Sequence, residues 1–358
     1  MKEIILTLDY ELFGNGKGDV FRHIVEPTNH IMKVAKRHNA QLTFFFEVVE
    51  YWRMKEEWER GNHMGYTDNP ISAMEKQILE AVREGHDVQL HIHPQWVKAE
   101  WTDKGWEVDP DAHRFGFYEG TGDNSVEGLL RRGKETLEQL ITPVKPYYRC
   151  VALRAGGYNA QPSETIVKAM REVGMKLDTS LYPGGFAQGS IAEYDYRSLP
   201  KEKGIWNVAD RLEVPAEEAT GLYELPICSL DITRWRKYAS FERVKSILGN
   251  TKQSKEFYEA KVSQSAPSSS KKRGLLEKFK FLLEKECQTW DYCLLPEPVH
   301  NQFIETMTQQ ENRQYFTLVG HPKSYMGDQG FSTLLKSLND NGCRFATVQK
   351  ILSDLENK

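Results

Sequence analysis

The order of apolar segments along the chain constrains its fold more than any other feature. Short apolar runs with the character of β-strands alternate with segments whose apolar residues recur at helical spacing, as Ile31, Val34 and Ala35 do. Such alternation is typical of βα units around a parallel sheet, so the sequence predicts an α/β fold. The expected strands lie at 4–9, 41–47, 87–93, 148–153, 175–180, 222–227, 315–319 and 344–348, and the expected helices at 27–38, 71–84, 126–140 and 163–173.

Two long stretches interrupt this alternation. Residues 94–124 are polar and rich in aromatic side chains but show no clear period. Residues 235–312 are predicted to form a helix-rich insertion that contains the linker-like sequence 263–273, rich in Ser and basic residues. Because strands resume after both stretches, we expect one domain over residues 1–358, with two insertions and a mobile surface loop at 263–273.

Composition and charge narrow the possible functions. The formal net charge of −4 argues against a surface for nucleic acid, and no apolar run approaches the roughly 20 residues that a membrane helix needs. The first apolar stretch, Ile4–Leu8, is too short for a secretion signal, so we expect a cytoplasmic protein. The five cysteines are odd in number and scattered, which favours reduced thiols over a disulfide framework.

Two pairs of side chains that could bind a metal follow predicted strands. His91 and His93 are two residues apart, as are Asp9 and Glu11, and residues two apart in a strand point the same way. Histidines satisfied by backbone carbonyls, and a carboxylate that caps a helix, are the alternative interpretations. Both pairs fall at the carboxyl ends of predicted strands, which is where α/β proteins have their active sites. The sequence therefore predicts a divalent metal ligated by both imidazoles and a carboxylate of Asp9 or Glu11.

Further polar groups at predicted strand ends complete a series of motifs. Their order resembles that of the NodB-homology polysaccharide deacetylases (carbohydrate esterase family 4), and the resemblance spans residues 6–348. In that family a Thr-Phe-Asp-Asp block opens the domain, a Gly-His-Glu run leads to a His pair, and Arg-x-Pro-Tyr, Asp-x-x-x-Trp and Leu-x-His blocks follow. The counterparts in this chain are Thr7–Asp9, Gly85–His93, Arg154–Tyr158, Asp178 and Val319–His321.

The resemblance implies a fold and a metal. The fold would be a distorted (β/α) barrel of about seven βα units with long insertions, and the metal, usually zinc, would be held by one carboxylate and two His. The family's second Asp, usually a ligand, is Tyr10 here, so Glu11 is the expected carboxylate ligand. His91 and His93 are separated by one residue, where the family has three.

The same resemblance implies catalytic roles. Asp9, kept ionised beside Arg154 and the metal, would be the general base. His321 would be the general acid, protonated through pairing with Asp178.

Substrate contacts are expected from three residues. The resemblance implies that the backbone N–H of Tyr158 stabilises the oxyanion and that Val319 lines a small acyl pocket. Trp96 is the insertion aromatic nearest in sequence to the proposed ligands, and it would stack on a sugar ring. The alternative is that the insertion aromatics only pack on one another.

Together these expectations favour a metal-dependent hydrolase that removes an N-acyl group, acetyl or formyl, from an amino sugar in a glycan or glycan precursor. Hydrolysis of a non-sugar amide or cyclic imide is a second interpretation. A third is a catalytically inactive barrel that binds carbohydrate through its insertion aromatics. Metal analysis and a deacylation assay separate the third from the others.

Overall fold

The computed structural model describes residues 1–234 and 283–357, and within them the main sheet has nine strands. The strands of the chain are β1 (Glu3–Tyr10), β2 (Leu42–Glu47), β3 (Asp87–Ile92), β4 (Glu100–Thr102), β5 (Gly105–Glu107), β6 (Ala152–Ala155), β7 (Leu177–Asp178), β8 (Phe186–Gln188), β9 (Glu193–Asp195), β10 (Trp206–Asn207), β11 (Tyr223–Glu224), β12 (Ser229–Thr233), β13 (Lys285–Thr289), β14 (Tyr315–Gly320) and β15 (Arg344–Phe345). The helices are α1 (Glu26–Arg37), α2 (Val48–Glu59), α3 (Pro70–Arg83), α4 (Val126–Ile141), α5 (Glu164–Glu172), α6 (Glu297–Gln309), α7 (Asp328–Asp340) and α8 (Val348–Glu356).

The main sheet is built from successive parallel neighbours. Its order is β10-β11-β7-β6-β3-β2-β1-β14, with β15 added beside β1, and only β10 pairs antiparallel. In the order of the sheet, β11, β7, β6, β3, β2, β1 and β14 are seven successive parallel strands. This number agrees with the expectation of about seven βα units. Every residue of β2, β3 and β14 is buried, as in parallel strands covered on both faces.

The segment 223–228 brings the two sides of this sheet together. Tyr223 and Glu224 pair with β7, whereas Ile227 forms a parallel bridge to Thr317 of β14. The N–H of Cys228 also donates to the Thr317 carbonyl over 2.8 Å. The sheet therefore curls into a distorted (β/α) barrel, and the fold class predicted from the sequence is confirmed.

An apolar cluster fills part of the barrel interior below the cavity. One residue from each of several strands joins this buried cluster, and the last helix, α8, adds two more residues to it. The buried residues of the cluster are Ile5, Phe45, Ala152, Leu177, Leu225, Tyr315, Ala346, Val348 and Ile351. Polar side chains share this interior and are satisfied there, since Gln89 accepts from the N–H groups of Val151 and Ala152, and Asp87 accepts from the N–H of Gln349 in α8.

Local sequence explains the helix starts. The side chain of Asn69 accepts hydrogen bonds from the N–H groups of Ile71 and Ser72, and Pro70 occupies the first turn of α3. The Ser125 hydroxyl accepts from the Gly128 N–H at the start of α4. Both starts lie within one residue of those predicted.

Several expected elements differ from the structure. The fourth strand spans Ala152–Ala155 rather than 148–153, and α2 follows β2 without a loop, so the sequence analysis missed this helix. The insertion 94–124 contains the hairpin of β4 and β5. Of the insertion 235–312, the structure includes β13 and α6, and the loop predicted at 263–273 lies outside the described residues.

Two expectations from composition concern the cysteines and membrane-spanning helices. All five cysteines lie in described parts of the chain, and none of them forms a disulfide. Within 1–234 and 283–357, no helix has the length and apolar character required to cross a membrane.

Removing the Phe45 ring should destabilise the barrel. Phe45 is fully buried in the interior cluster, so Phe45→Ala is expected to lower the free energy of unfolding by about 3–5 kcal/mol. Chemical denaturation measures the change. Tyr147, which is 89% exposed, is the control, and Tyr147→Ala should shift stability by less than about 0.5 kcal/mol. Equal effects of the two substitutions would contradict this account of the core.

Candidate functional site

A cavity of about 430 Å³ opens at the upper end of the barrel. Its wall includes Asp9, Glu11, His93 and His321, which sequence analysis placed at strand ends. The hairpin strand β13 and the loop after it form the opposite wall. The carboxyl ends of the parallel strands thus meet around one space, as the fold requires.

Glu11, His91 and His93 converge on one point. A single Glu11 oxygen, Oε2, lies 3.2 Å from His91 Nε2 and 2.6 Å from His93 Nε2. Both Nε2 atoms are buried, yet neither forms a hydrogen bond of acceptable geometry. Ligand atoms of these three residues and of Glu47 all lie within 4.8 Å of one another. Imidazole and carboxylate donors that converge without satisfying one another fit a divalent metal ion.

The two imidazoles are held by contacts at their other nitrogen. His91 Nδ1 lies 2.8 Å from the Arg154 carbonyl oxygen, which fixes Nδ1 as the donor and leaves the Nε2 lone pair for a ligand bond. The side-chain amide of Gln95 lies 2.7 Å from His93 Nδ1. The nearer amide atom is Gln95 Nε2, which also donates to the Gly14 carbonyl over 3.3 Å, so as placed His93 Nδ1 is the acceptor. Exchange of the amide oxygen and nitrogen would give His93 the tautomer of His91.

Gly156 allows His93 to take this position. A Cβ atom at residue 156 would lie 2.4 Å from the His93 ring, closer than any side chain could tolerate. The Gly-Gly of the Arg154–Tyr158 motif therefore has a steric function beside the proposed metal ligands.

Lys323 fixes the remaining oxygen of Glu11. Its ammonium donates to Glu11 Oε1 over 2.6 Å and to the Leu12 carbonyl over 2.6 Å. Burial alone would raise the pKa of Glu11, but the charges of Lys323 and His93 outweigh it and hold that pKa well below its usual range. Glu11 is therefore an ionised carboxylate, as a metal ligand must be.

Asp9 belongs to a different charge pair. Its Oδ1 accepts from Arg154 Nη1 over 2.6 Å, and its Oδ2 lies 3.5 Å from His321 Nε2. Arg154 is fully buried and also donates to Thr7 Oγ1 and to the carbonyl and hydroxyl of Thr179. Burial works against ionisation of Asp9, but Arg154 more than compensates and lowers the pKa of Asp9.

The partner of His321 is Asp291, which corrects the pairing with Asp178 expected from the sequence. His321 Nδ1 lies 2.9 Å from Asp291 Oδ2, and the other Asp291 oxygen accepts from the N–H groups of Cys293 and Leu294. Burial disfavours the charged ring, yet Asp291 outweighs it and raises the pKa of His321.

Strand alternation explains why Asp178 is elsewhere. Leu177 belongs to the interior cluster and the Thr179 hydroxyl accepts from Arg154, so both face the barrel interior. Asp178, between them, faces the other side, where it accepts from the N–H and hydroxyl of Ser180. Burial raises the pKa of Asp178.

The three expected substrate contacts have different outcomes. Tyr158 lines the cavity and has φ +62°, directly after Gly157 at φ +58°. Val319 is fully buried in β14 and is not part of the cavity wall. Trp96 is 1% exposed and packs edge-on against Trp106 at 5.4 Å, so it cannot stack on a sugar in this structure, and the alternative of loop packing is correct for it.

Four residues near the cavity were missed by sequence analysis: Glu47, Gln95, Asp291 and Lys323. Glu47 ends a predicted strand, so the rule that identified Asp9 and His93 could have found it. Asp291 lies in a stretch interpreted as an insertion, although it forms a parallel bridge with Val319. No sequence signal pointed to Gln95 or Lys323.

Comparison with known proteins gives structural neighbours only. No family model matches the chain, and no curated protein matches it. A protein from Mycobacterium smegmatis provisionally described as a polysaccharide deacetylase is 13% identical, with 99% of this chain and 90% of that chain covered and a TM-score of 0.45. A Bacillus cereus polysaccharide deacetylase is 12% identical, with 97% of this chain and 92% of that chain covered and a TM-score of 0.38. The Puue allantoinase is 12% identical, with 98% of this chain and 89% of that chain covered and a TM-score of 0.41. Because these sequence identities and TM-scores are low, the proposed function is argued from the chain's own residues.

A methyl group at residue 156 should weaken metal binding. Gly156→Ala places its Cβ against the His93 ring and should lower affinity for Zn²⁺ on the order of 10-fold, as is typical when ligand orientation is disturbed. Competition with a chromophoric chelator measures the affinity. Gly330→Ala, at a helical position with open space around it, is the matched control and should bind as the wild type does. Unchanged affinity in Gly156→Ala would contradict the proposed position of His93.

Removing the Asp291 carboxylate should lower the pKa of His321. Asp291 raises that pKa, so in Asp291→Asn the ring should lose its proton at lower pH, and the alkaline limb of any pH–rate profile should move the same way. NMR titration of the His321 ring measures the shift. Asp178→Asn is the control, and a larger shift in that variant would restore the pairing expected from the sequence.

Proposed function

We propose that the protein is a metal-dependent hydrolase that removes an N-acyl group, acetyl or formyl, from an amino sugar in a glycan or glycan precursor. The observation that carries this proposal is the placement of one ionised carboxylate, Asp9, and one imidazole of raised pKa, His321, on the same cavity beside Glu11, His91 and His93. Amide hydrolysis needs a base, an acid and an electrophile in that arrangement.

The acid and base have separate supports. Asp9 Oδ2 accepts the proton of the attacking water, because Arg154 keeps the carboxylate ionised through the other oxygen. His321 Nε2 faces the same space and donates its proton to the leaving amine as the amide C–N bond breaks. Asp291 keeps the ring charged and oriented until then.

Glu11, His91 and His93 would hold the metal, with zinc as the expected ion. A divalent ion at this place supplies Lewis acidity, which polarises the acyl carbonyl and makes water more acidic. Lys323 and Gln95 keep two of these side chains in place. The backbone N–H of Tyr158, at the cavity wall, is the proposed donor to the developing oxyanion.

The lining of the cavity suits a polar, ring-shaped substrate. Gln288, Thr289 and Ser324 offer hydrogen-bonding groups, and Phe13 and Tyr182 offer aromatic surface. These two aromatics replace Trp96 as candidates for contact with the apolar face of a sugar. A non-sugar amide or cyclic imide remains the alternative substrate, and carbohydrate binding without turnover is the alternative function.

Release of acetate or formate from N-acylated amino sugars, with Zn²⁺, Co²⁺ or Mn²⁺ supplied, tests the proposal. Asp9→Asn should retain metal and lower turnover by about 100- to 10,000-fold, because the base is lost. Glu11→Gln should instead lower metal content, measured by elemental analysis. The reverse pattern would exchange the two roles. A metal-loaded protein that binds amino sugars but hydrolyses none of them would support the inactive barrel.

A further inference from the structure

Glu47 has one carboxylate oxygen in use and one without a partner. It is the last residue of β2 and caps α2, where Oε1 accepts from the N–H groups of Val49 and Glu50 at 3.0 and 3.4 Å. The residue is 2% exposed, and Oε2 makes no hydrogen bond. A buried carboxylate oxygen without a partner is costly, so its retention calls for an explanation.

The unpartnered carboxylate is directed toward the proposed metal ligands. Glu47 and His91 are register partners in the parallel pair of β2 and β3, so their side chains lie on the same face of the sheet. A ligand atom of Glu47 lies within 4.8 Å of those of Glu11, His91 and His93. The cap contacts at Oε1 fix the group in this orientation without consuming its second oxygen.

Charge supports the same assignment. Lys323 pairs with Glu11 and Arg154 pairs with Asp9, but no salt bridge reaches Glu47 within residues 1–234 and 283–357. Burial and the neighbouring carboxylates of Glu50 and Glu11 raise the pKa of Glu47 well above its usual range. A divalent cation among these ligand atoms would offset these effects and favour the ionised carboxylate.

We propose that Glu47 is a fourth metal ligand, so that two carboxylates and two imidazoles bind the ion. This inference rests on the proposed function for the presence of the metal but adds a ligand that the motif resemblance does not include. Four protein donors fill a tetrahedral ion, so an ion that still admits substrate must accept five or more ligands. Such a donor set is less specific for zinc than a set of three, because carboxylate oxygens also suit Mn²⁺ and similar ions.

Cobalt titration of the wild-type protein and two variants tests this ligand. The visible d–d bands of Co²⁺ report the number of its ligands, so binding and coordination are read without any assay of activity. Glu47→Gln keeps an oxygen for the helix cap and should lower Co²⁺ affinity at least about 10-fold and change the intensity of the bands. Glu50→Gln is the matched control, since Glu50 is equally buried in the first turn of α2 and its oxygens accept from the Leu12 N–H. It should keep wild-type affinity and bands.

The outcomes separate this inference from the proposed function. Wild-type protein that binds no Co²⁺, Zn²⁺ or Mn²⁺ overturns both. Tight wild-type binding with an unchanged spectrum in Glu47→Gln, whatever its affinity, overturns only the fourth ligand, because Glu47 would then act as a nearby charge. If circular dichroism shows that Glu47→Gln does not fold, the Co²⁺ spectrum of Glu47→Asp tests the fourth ligand instead. This variant keeps the charge but withdraws the carboxylate by one methylene. Wild-type bands in that variant would overturn the assignment.

Discussion

The buried guanidinium of Arg154 is the interaction on which the rest of the site depends. It has no contact with solvent, so its charge must be met inside the protein, and Asp9, Thr7 and Thr179 together meet it. Its flat face lies 4.4 Å from the centre of the Phe45 ring. Arg154 thus lies between the Phe45 ring of the interior cluster and the proposed base, Asp9.

Two carboxylates that are neighbours in sequence acquire different functions from their surroundings. Asp9 and Glu11 leave β1 on the same face, yet Arg154 holds the first and Lys323 the second. Asp9 is left facing His321, whereas Glu11 faces two imidazoles. Separate cations therefore keep the carboxylate proposed as proton acceptor apart from the carboxylate proposed as metal ligand.

Sequence reasoning reached the strands and the residues at their ends because both follow from local patterns. The alternation of strand and helix segments predicted an α/β fold, and spacing of two residues predicted that His91, His93 and a carboxylate of Asp9 or Glu11 meet. The barrel and the choice of Glu11 came from the family resemblance. The partner of His321 could not be predicted in this way, because Asp178 and Asp291 differ in which face of the barrel they occupy, and one residue of register decides this. Glu47 was missed although the predicted strand 41–47 ends there, because it has no second ligand-type side chain two residues away to mark it as one of a pair.

The pairing of β1 with β14 joins residues at opposite ends of the chain, as Thr7 donates to the Leu318 carbonyl, 311 positions later. A nascent chain therefore displays Asp9 and the His pair long before His321 has left the ribosome. Until β14 is inserted, the first strand has an open edge, and contacts so distant in sequence form slowly. The proposed acid and the proposed base therefore meet only when β14 pairs with β1, so a chain without this pairing does not assemble the proposed site.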